Sequence, residues 1–268
     1  MRRGSIAVAA LAGACGLFPD PGGLDGTDAS LADVTSPDAP PVDAPAETSV
    51  DAGCPTVARV QTAFSTASSA ASSVSVPITL GHGHLLVAVL GAQFAGTLTL
   101  SDSANNTWSV LTEVANTSCL ADAAPWSTRA QLAYTTVAAD VTNDLVTLAT
   151  SSPGDYLTLT LAEYASSGTL ALKQSLQNEA DGSSNTVAVG PLSATGCANV
   201  VVAMLADEYP SGDTWTPFAG FQVLSKNGDW SYVAVDDPDA GPGALVAGAS
   251  HTPSDHCWAA AAAAFAPQ

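Results

Sequence analysis

The sequence contains very few positively charged residues. Its 268 residues include 25 acids and only six bases, for a formal net charge of −19. Two bases, Arg2 and Arg3, lie at the very start, and four occur later: Arg59, Arg129, Lys173 and Lys226. Proteins that bind nucleic acid or dock on anionic lipid headgroups depend on clustered Lys and Arg. The composition therefore excludes nucleic acid as a partner.

Long hydrophobic runs are also absent. No segment reaches the 18 consecutive apolar residues that mark a membrane-spanning helix. Residues 4–14 form an apolar run of eleven that directly follows Arg2 and Arg3. A short apolar run behind a basic start is typical of an export signal. We expect residues 1–14 to be a signal peptide and the protein to be exported.

The end of this signal has two interpretations, both with cleavage after Ala14. Ala12 and Ala14 fit an ordinary signal peptidase site, whereas small residues before Cys15 resemble a lipoprotein signal. There are five cysteines, and removing Cys15 leaves four, a number suited to two disulfides in an oxidising compartment. We expect Cys15 to carry a lipid that makes the membrane a partner and places the protein at the cell envelope or outer surface. The alternative is a free secreted protein with one odd thiol.

Residues 15–53 are predicted to be a disordered linker. Residues 16–53 contain six Pro, eight Asp or Glu, no Lys or Arg, and a single aromatic residue, Phe18. Such a segment buries too little apolar surface to offset the entropy cost of ordering its backbone. As a random coil of this length it spans about 35 Å, and Pro content and self-repulsion extend it further. We interpret it as a spacer.

Residues 54–268 are predicted to form one all-β domain. Short segments in which polar and apolar residues alternate are separated by Gly, Pro, Asn, Asp and Ser. Asn227-Gly228 is the clearest hairpin signal, because both residues accept the positive φ of a type I′ turn. It is expected to join 221–225 to 230–235. The pattern predicts about 13 to 15 strands in an antiparallel β-sandwich.

An internal repeat decides how the alanine run 259–264 is interpreted. Six alanines favour a helix by propensity. However, the segment 84–90 resembles 199–205, and 152–156 resembles 252–256, so the alanine run corresponds to 157–164 in the first half. We therefore predict a strand there. The expected halves are roughly 54–178 and 179–268, facing each other across a single core.

Several segments together resemble a class of secreted bacterial jelly-roll domains, in which a GNLLVVAV strand precedes a DSxGNTY turn and an LEYSG strand. The corresponding segments here are Gly83–Val89, Asp102–Trp108, Ala133-Tyr134 and Leu161–Tyr164. The resemblance covers most of 56–266 and implies a jelly-roll sandwich, often attached to surface or carbohydrate-active proteins. It implies no particular ligand and no catalytic residues. The paired cysteines and the alanine-rich last strand depart from the pattern.

Catalytic signatures are weak. No Gly-x-Ser-x-Gly elbow occurs, although Ser250, His251, Asp255 and His256 form a hydrolase-like group in sequence. Glu163 has the same parity as three leucines on its strand, so it is a candidate general acid on a core-facing side. A glycosidase needs a second carboxylate within about 5–10 Å. The sequence does not place one there, and we expect Glu163 to reach solvent at the strand end.

Two segments resemble metal sites. His82 and His84 share a strand face, as paired zinc ligands do, but no third ligand is nearby. Asp236, Asp237 and Asp239 resemble a calcium loop, although calcium prefers six to eight oxygens and three carboxylates supply too few. Calcium is therefore the one cofactor that the sequence suggests, and a solvated hairpin loop is the simpler interpretation.

Aromatic residues give the best ligand hypothesis. Four of them lie in or beside predicted loops: Trp126, Tyr209, Trp215 and Trp230. Exposed aromatic faces stack on sugars and anchor protein interfaces. The expected function is a surface-displayed, non-catalytic binding or adhesion module for a glycan or a surface protein. The alternatives are an extracellular glycan-cleaving hydrolase and a purely structural envelope lipoprotein.

The four remaining cysteines allow three pairings. If successive strands alternate in direction, Cys54 and Cys197 lie at one end of the sandwich. Cys119 and Cys257 then lie at the other end. The sequence therefore predicts the disulfides Cys54–Cys197 and Cys119–Cys257.

Overall fold

The computed structural model describes residues 54–93, 96–116, 127–152, 155–180, 185–194, 196–207, 214–227, 232–252 and 257–268. Every regular element in these ranges is a β-strand, which confirms the all-β prediction. The first nine strands are β1 Val57–Ala71, β2 Ser73–Leu80, β3 Leu85–Gln93, β4 Leu98–Asp102, β5 Ser109–Val110, β6 Val114–Asn116, β7 Thr128–Thr136, β8 Val141–Thr150 and β9 Asp155–Ser166. The next eight are β10 Leu170–Ala180, β11 Thr186–Ala194, β12 Asn199–Asp207, β13 Thr214–Pro217, β14 Gln222–Asn227, β15 Tyr232–Ala240, β16 Gly243–Thr252 and β17 Trp258–Pro267.

Strands β1–β9, here called the first half, form a two-sheet sandwich. Sheet 1 has the order β1-β9-β3-β7-β5, with β6 also paired to β7, and sheet 2 has the order β2-β8-β4. All pairings are antiparallel. The chain crosses repeatedly from one sheet to the other, and the last strand returns beside the first. This is a jelly-roll-like winding.

Strands β10–β17, the second half, repeat that order. Sheet 3 is β10-β17-β12-β15-β14 and sheet 4 is β11-β16-β13, so each strand has a counterpart in the first half. The predicted duplication is therefore present. The halves meet between Ser166 and Leu170 rather than at 178/179, because that expected boundary falls inside β10, which pairs with β17 along its whole length.

Three apolar cores hold the domain together, in place of the single core expected. Sheets 1 and 2 enclose the first-half core, sheets 3 and 4 enclose the second-half core, and sheets 1 and 3 face each other across a central core. Strands in sheets 1 and 3 are consequently covered on both faces. In β3, for example, Val87 faces the central core while Leu86 and Leu90 face the first-half core.

The alanine run forms strand β17, as the repeat predicted. It lies between β10 and β12, and alternate alanines face the central core and the second-half core. Ala259 to Ala264 are all buried. Pairing on both edges and burial on both faces outweigh the helical propensity of alanine, which is a weak preference of under 1 kcal/mol per residue.

The predicted disulfide Cys54–Cys197 is present, with a Cα–Cα distance of 5.6 Å and a sequence separation of 143 residues. It joins the segment before β1 to the turn before β12, so it links the two halves. Cys257 is also disulfide-bonded. Its partner lies outside the described residues, as do Cys15 and Cys119, and the pairing Cys119–Cys257 stays a prediction. No helix in the described ranges is long and apolar enough to cross a membrane.

Candidate functional site

Of the four aromatic residues predicted to bind a ligand, Trp215 lies among the described residues. Trp215 is half-buried on β13, and its ring stacks on the His251 ring with centroids 5.0 Å apart. One face of the indole is thus already covered by protein. Trp126, Tyr209 and Trp230 lie outside the described residues.

The hydrolase-like group near Ser250 has a different arrangement. His251 is fully buried, and its Nδ1 lies 3.1 Å from Oδ2 of Asp207, which is also fully buried. Asp255 and His256 lie outside the described residues. His251 is therefore part of the interior of the second half, packed between Asp207 and Trp215.

The predicted hairpin loop at Asp236, Asp237 and Asp239 is wrong, because these residues belong to strand β15. Asp236 is fully buried between the halves, where Arg59 donates a 2.5 Å hydrogen bond to Oδ1 and the Tyr164 hydroxyl donates a 2.9 Å bond to Oδ2. Burial raises the pKa of Asp236, and burial also raises the pKa of Tyr164 well above its usual value. Asp236 thus serves as an internal acceptor. No group of three or more His, Cys, Asp or Glu able to hold a metal occurs among the residues that the structure describes.

Glu163 and His84, two candidates from separate parts of the sequence, are in direct contact. Oε1 of Glu163 lies 2.7 Å from Nδ1 of His84. The predicted core-facing parity of Glu163 is confirmed, because its strand neighbours Leu159 and Leu161 face the first-half core. The expectation that its carboxylate reaches solvent is wrong, since Glu163 is only 1% exposed.

Two further donors satisfy the Glu163 carboxylate. The backbone N–H of Gly81 donates to Oε1 at 2.7 Å, and Nε2 of Gln61 donates to Oε2 at 2.5 Å. A buried carboxylate requires such partners, because leaving it unpaired costs several kcal/mol. All three donors come from the chain itself, so Glu163 acts on a ligand only through the groups it holds.

A β-bulge places Gln61 beside Glu163. In the pairing of β1 with β9, Arg59 is opposite Tyr164 and Gln61 is opposite Glu163, so Val60 is the extra residue. The bulge lets Arg59 face Asp236 while Gln61 faces Glu163. Val60 is pushed outward and is 49% exposed. Bulges commonly redirect side chains in this way next to functional sites.

Gly81 provides the space for the His84 ring. A Cβ atom at this position would lie 2.6 Å from Cε1 and 2.7 Å from Nδ1 of that ring. The imidazole therefore packs directly on the Gly81 backbone. Its Nδ1 is hydrogen-bonded to Glu163. Because a carboxylate accepts at Nδ1, the ring carries its proton there and presents Nε2 away from Glu163.

His84 and Glu163 line an open cleft of about 310 Å³ at this end of the first half. Val60 and Val141 contribute apolar surface, and Asp140 contributes a carboxylate. Asp140 is exposed, and its Oδ1 accepts a 2.7 Å hydrogen bond from the backbone N–H of His82. His84 is 29% exposed and is thus accessible from the cleft.

Two carboxylates considered as partners for Glu163, Glu113 and Asp155, lie elsewhere, whereas Asp140 shares the cleft with it. Glu113 forms a 2.7 Å ion pair with Arg129, which lies opposite Ala92 on β3, whereas Glu163 lies opposite Leu86. Six residues along a strand correspond to about 20 Å. Asp155 begins β9 and is eight residues from Glu163, or about 26 Å along the strand. Neither supplies the close carboxylate pair of a glycosidase.

No known protein family, no curated protein and no solved structure matches this sequence. The two halves of the chain can be compared with each other at the site.

The second half repeats the backbone arrangement around the site but has different side chains at the positions of Glu163 and His84. The same bulge recurs between Leu172 and Gln174, and Gln174 lies opposite Ala264 as Gln61 lies opposite Glu163. Asn199 is the counterpart of His84. The next residue in each half shows this, because Leu85 pairs with Tyr164 and Val200 pairs with its equivalent, Phe265. The fold therefore tolerates alanine where Glu163 stands.

The turn before the third strand of each half also differs in use. Cys197 stands where the first half has His82, and it forms the disulfide with Cys54. A Cβ added at Gly196, the counterpart of Gly81, would meet nothing within 4 Å. In the first half this turn packs against the His84 ring. In the second half it is joined by a disulfide to the segment before β1.

Sequence reasoning identified His84 and Glu163 but missed Gln61, Gly81 and Asp140. Gln61 lies in a strand without clear alternation, and a bulge is invisible in a period-2 pattern. One signal was available in the repeat, because Gln61 and Gln174 lie in similar segments, Ala58–Thr62 and Ala171–Ser175.

Proposed function

We propose that this protein is a surface-displayed, non-catalytic binding module and that it binds a carbohydrate in the cleft beside His84. The observation that carries the proposal is the Glu163–His84 pair. A buried carboxylate with three internal donors fixes one imidazole at the edge of an open cleft. Burial of such a group is costly and the equivalent position in the second half is alanine, so packing alone does not explain it.

The chemistry of the cleft supports binding rather than turnover. Glu163 is buried and saturated, and Glu113 and Asp155 are too distant along the strands to form a carboxylate pair with it. Asp140 shares the cleft but is exposed and accepts a hydrogen bond from the His82 backbone N–H. Sugars are recognised by a few positioned polar groups next to apolar surface, which here are His84 and Asp140 beside Val60 and Val141. Display at the envelope follows from the expected signal peptide, the lipid at Cys15 and the linker to residue 53.

The proposal is tested by screening the full mature chain on a glycan array and measuring the hits by calorimetry. His84→Asn and Glu163→Ala install the residues of the second half, so both variants should fold. Each is expected to weaken binding about two- to tenfold, since an ordinary hydrogen bond contributes a net free energy of about 0.5–1.5 kcal/mol.

Gln61 and Gln174 supply the matched control. Gln61→Ala removes one donor to Glu163 and should weaken the same binding, whereas Gln174→Ala changes the equivalent position far from the cleft chemistry and should not. Binding that survives His84→Asn and Glu163→Ala unchanged would place the site elsewhere. A chain that binds no glycan on the array favours the purely structural alternative.

A further inference from the structure

We infer that the cleft beside His84 takes a ligand with a free ammonium group, so that an amine-bearing saccharide binds in preference to a neutral or acidic one. This inference rests on the proposed function and adds the charge of the ligand. Its basis is the kind of polar atom that each group turns toward the cleft.

The side chains best placed to contact a ligand present acceptors. Nδ1 of His84 is engaged by Glu163, so Nε2 is the ring nitrogen left for a ligand, and it is an acceptor whenever the ring carries a single proton. Asp140 uses Oδ1 for the His82 backbone N–H and retains Oδ2. A ligand group that meets both must donate hydrogen bonds, and an ammonium donates three.

The charge of the cleft points the same way. Its lining contains Asp140 and Glu163 but no Lys or Arg. The whole chain carries −19. Such a field attracts cations and repels phosphate, sulfate and uronic acid groups at low ionic strength.

The bulge residue gives an internal comparison. In the first half the outward residue is Val60, at the rim of the cleft. In the second half the equivalent bulge residue is the exposed Lys173, which carries an ammonium of its own. The first half thus combines acidic groups with an apolar rim, on which the C–H face of a sugar ring packs while its ammonium meets Asp140 and His84.

The test compares two saccharides with the same sugar backbone, one with free amines and one with N-acetyl groups. Calorimetry at low salt uses the full mature chain with a β-1,4-linked glucosamine hexamer and with its N-acetylated counterpart, in which the amines are neutral amides. The glucosamine hexamer is expected to bind at least tenfold more tightly, and raising the salt should reduce that advantage.

Variants assign the effect to the cleft. Asp140→Asn should reduce glucosamine binding at least tenfold, and His84→Asn should do the same. Asp239→Asn changes the net charge equally at an exposed position on β15 and should leave binding within about twofold. If Asp239→Asn weakens binding as much as Asp140→Asn, the attraction is a general charge effect and the inference is wrong.

Failure of the inference is distinguishable from failure of the proposed function. If neutral or acetylated saccharides bind as tightly as the glucosamine hexamer and His84→Asn abolishes that binding, the ammonium inference is overturned and the binding module stands. If no saccharide of any charge responds to His84→Asn or Glu163→Ala, both are overturned.

Discussion

Gln61 and Gln174 occupy the same position in two copies of one sandwich, each directly after a β-bulge and each opposite the last strand of its half. Only the side chains around them differ. Gln61 donates to the buried Glu163 and to the carbonyl oxygen of Thr79, whereas Gln174 accepts a 2.7 Å hydrogen bond from the backbone N–H of Ser193. The same backbone feature therefore supports a polar site in one half and plain strand pairing in the other.

The first prediction concerns the proton on His84. With Glu163 as acceptor, the neutral ring should carry its proton on Nδ1. Nitrogen NMR of the imidazole checks this, and Glu163→Ala should shift the signal toward protonation at Nε2 because the acceptor is gone. Detection of the Nε2–H form in the unmodified protein would contradict the arrangement.

Gly81 should be required for the position of that ring. Gly81→Ala puts a Cβ against the imidazole and is expected to cost about 1–3 kcal/mol of folding stability. Gly81→Ala should also remove the nitrogen NMR signal of His84 protonated at Nδ1. Gly241→Ala is the control, since a Cβ there meets nothing within 4 Å, and it should leave both stability and the His84 spectrum unchanged.

Gly91 marks a close approach of sheets 1 and 3. A Cβ at this position would overlap Cε of Met204 and lie 2.9 Å from Cδ1 of Tyr232. Gly91→Ala should therefore destabilise the protein by about 1–3 kcal/mol through overpacking. Met204→Ala alone should cost about 2–5 kcal/mol through the cavity it leaves.

The double variant is the informative measurement. In urea denaturation, Gly91→Ala with Met204→Ala should cost less than the sum of the two single changes, because each relieves the other. Strict additivity would mean that the two residues do not share this contact.

Asp236 should make stability depend on pH in an unusual direction. Because burial raises its folded pKa, Asp236 in the native protein takes up a proton at a higher pH than it does in the unfolded chain. The contribution of Asp236 to folding stability is therefore fully present below its pKa in the unfolded chain. It decreases as the pH rises through its pKa in the folded protein. Comparison of wild type with Asp236→Asn by denaturation across this range should show the wild type losing relative stability as pH rises.

The disulfide Cys54–Cys197 should contribute substantially to stability. Closing a loop of 143 residues is worth about 5 kcal/mol in the chain-entropy description, so replacing both cysteines by serine should lower the free energy of unfolding by that order. Peptide mapping without reduction should also recover Cys119 joined to Cys257. Recovery of Cys15 joined to Cys257 would overturn both that pairing and the lipid at Cys15.

Lipidation itself has a separate test. Mass spectrometry of the mature protein should find an acylated Cys15 at the N-terminus, and Cys15→Ser should release the protein from the membrane fraction. An unmodified, soluble wild-type protein would contradict the anchor and leave only secretion.

The strands and their duplication were predictable because both leave patterns in sequence. The similarity of 84–90 to 199–205 identified β3 and β12, and it placed the alanine run on β17 against its helical propensity. The three cores were not predictable, since a strand such as β3 that is buried on both faces loses the alternation that reveals which sheet covers it.

The site was predictable only in part. Parity placed Glu163 toward the core, and spacing singled out His84, but nothing local connects residues 79 positions apart. Their contact depends on the neighbouring positions of β9 and β3 in sheet 1. The loop predicted around Asp236 was wrong for a related reason. Its partner Arg59 is 177 residues away, and the pairing of β15 with β12 that makes this segment a strand is also long-range.

The bond between Cys54 and Cys197 also determines how a force applied to the chain just before Cys54 is distributed. Strand β1 lies at the edge of sheet 1, and force applied at its start would peel it from β9 one residue at a time. Cys54 precedes that strand and is covalently joined to the turn before β12, which lies in the middle of sheet 3 between β17 and β15. Load arriving along the chain therefore passes into an interior strand of the second half, and the strand that carries Gln61 is relieved of it.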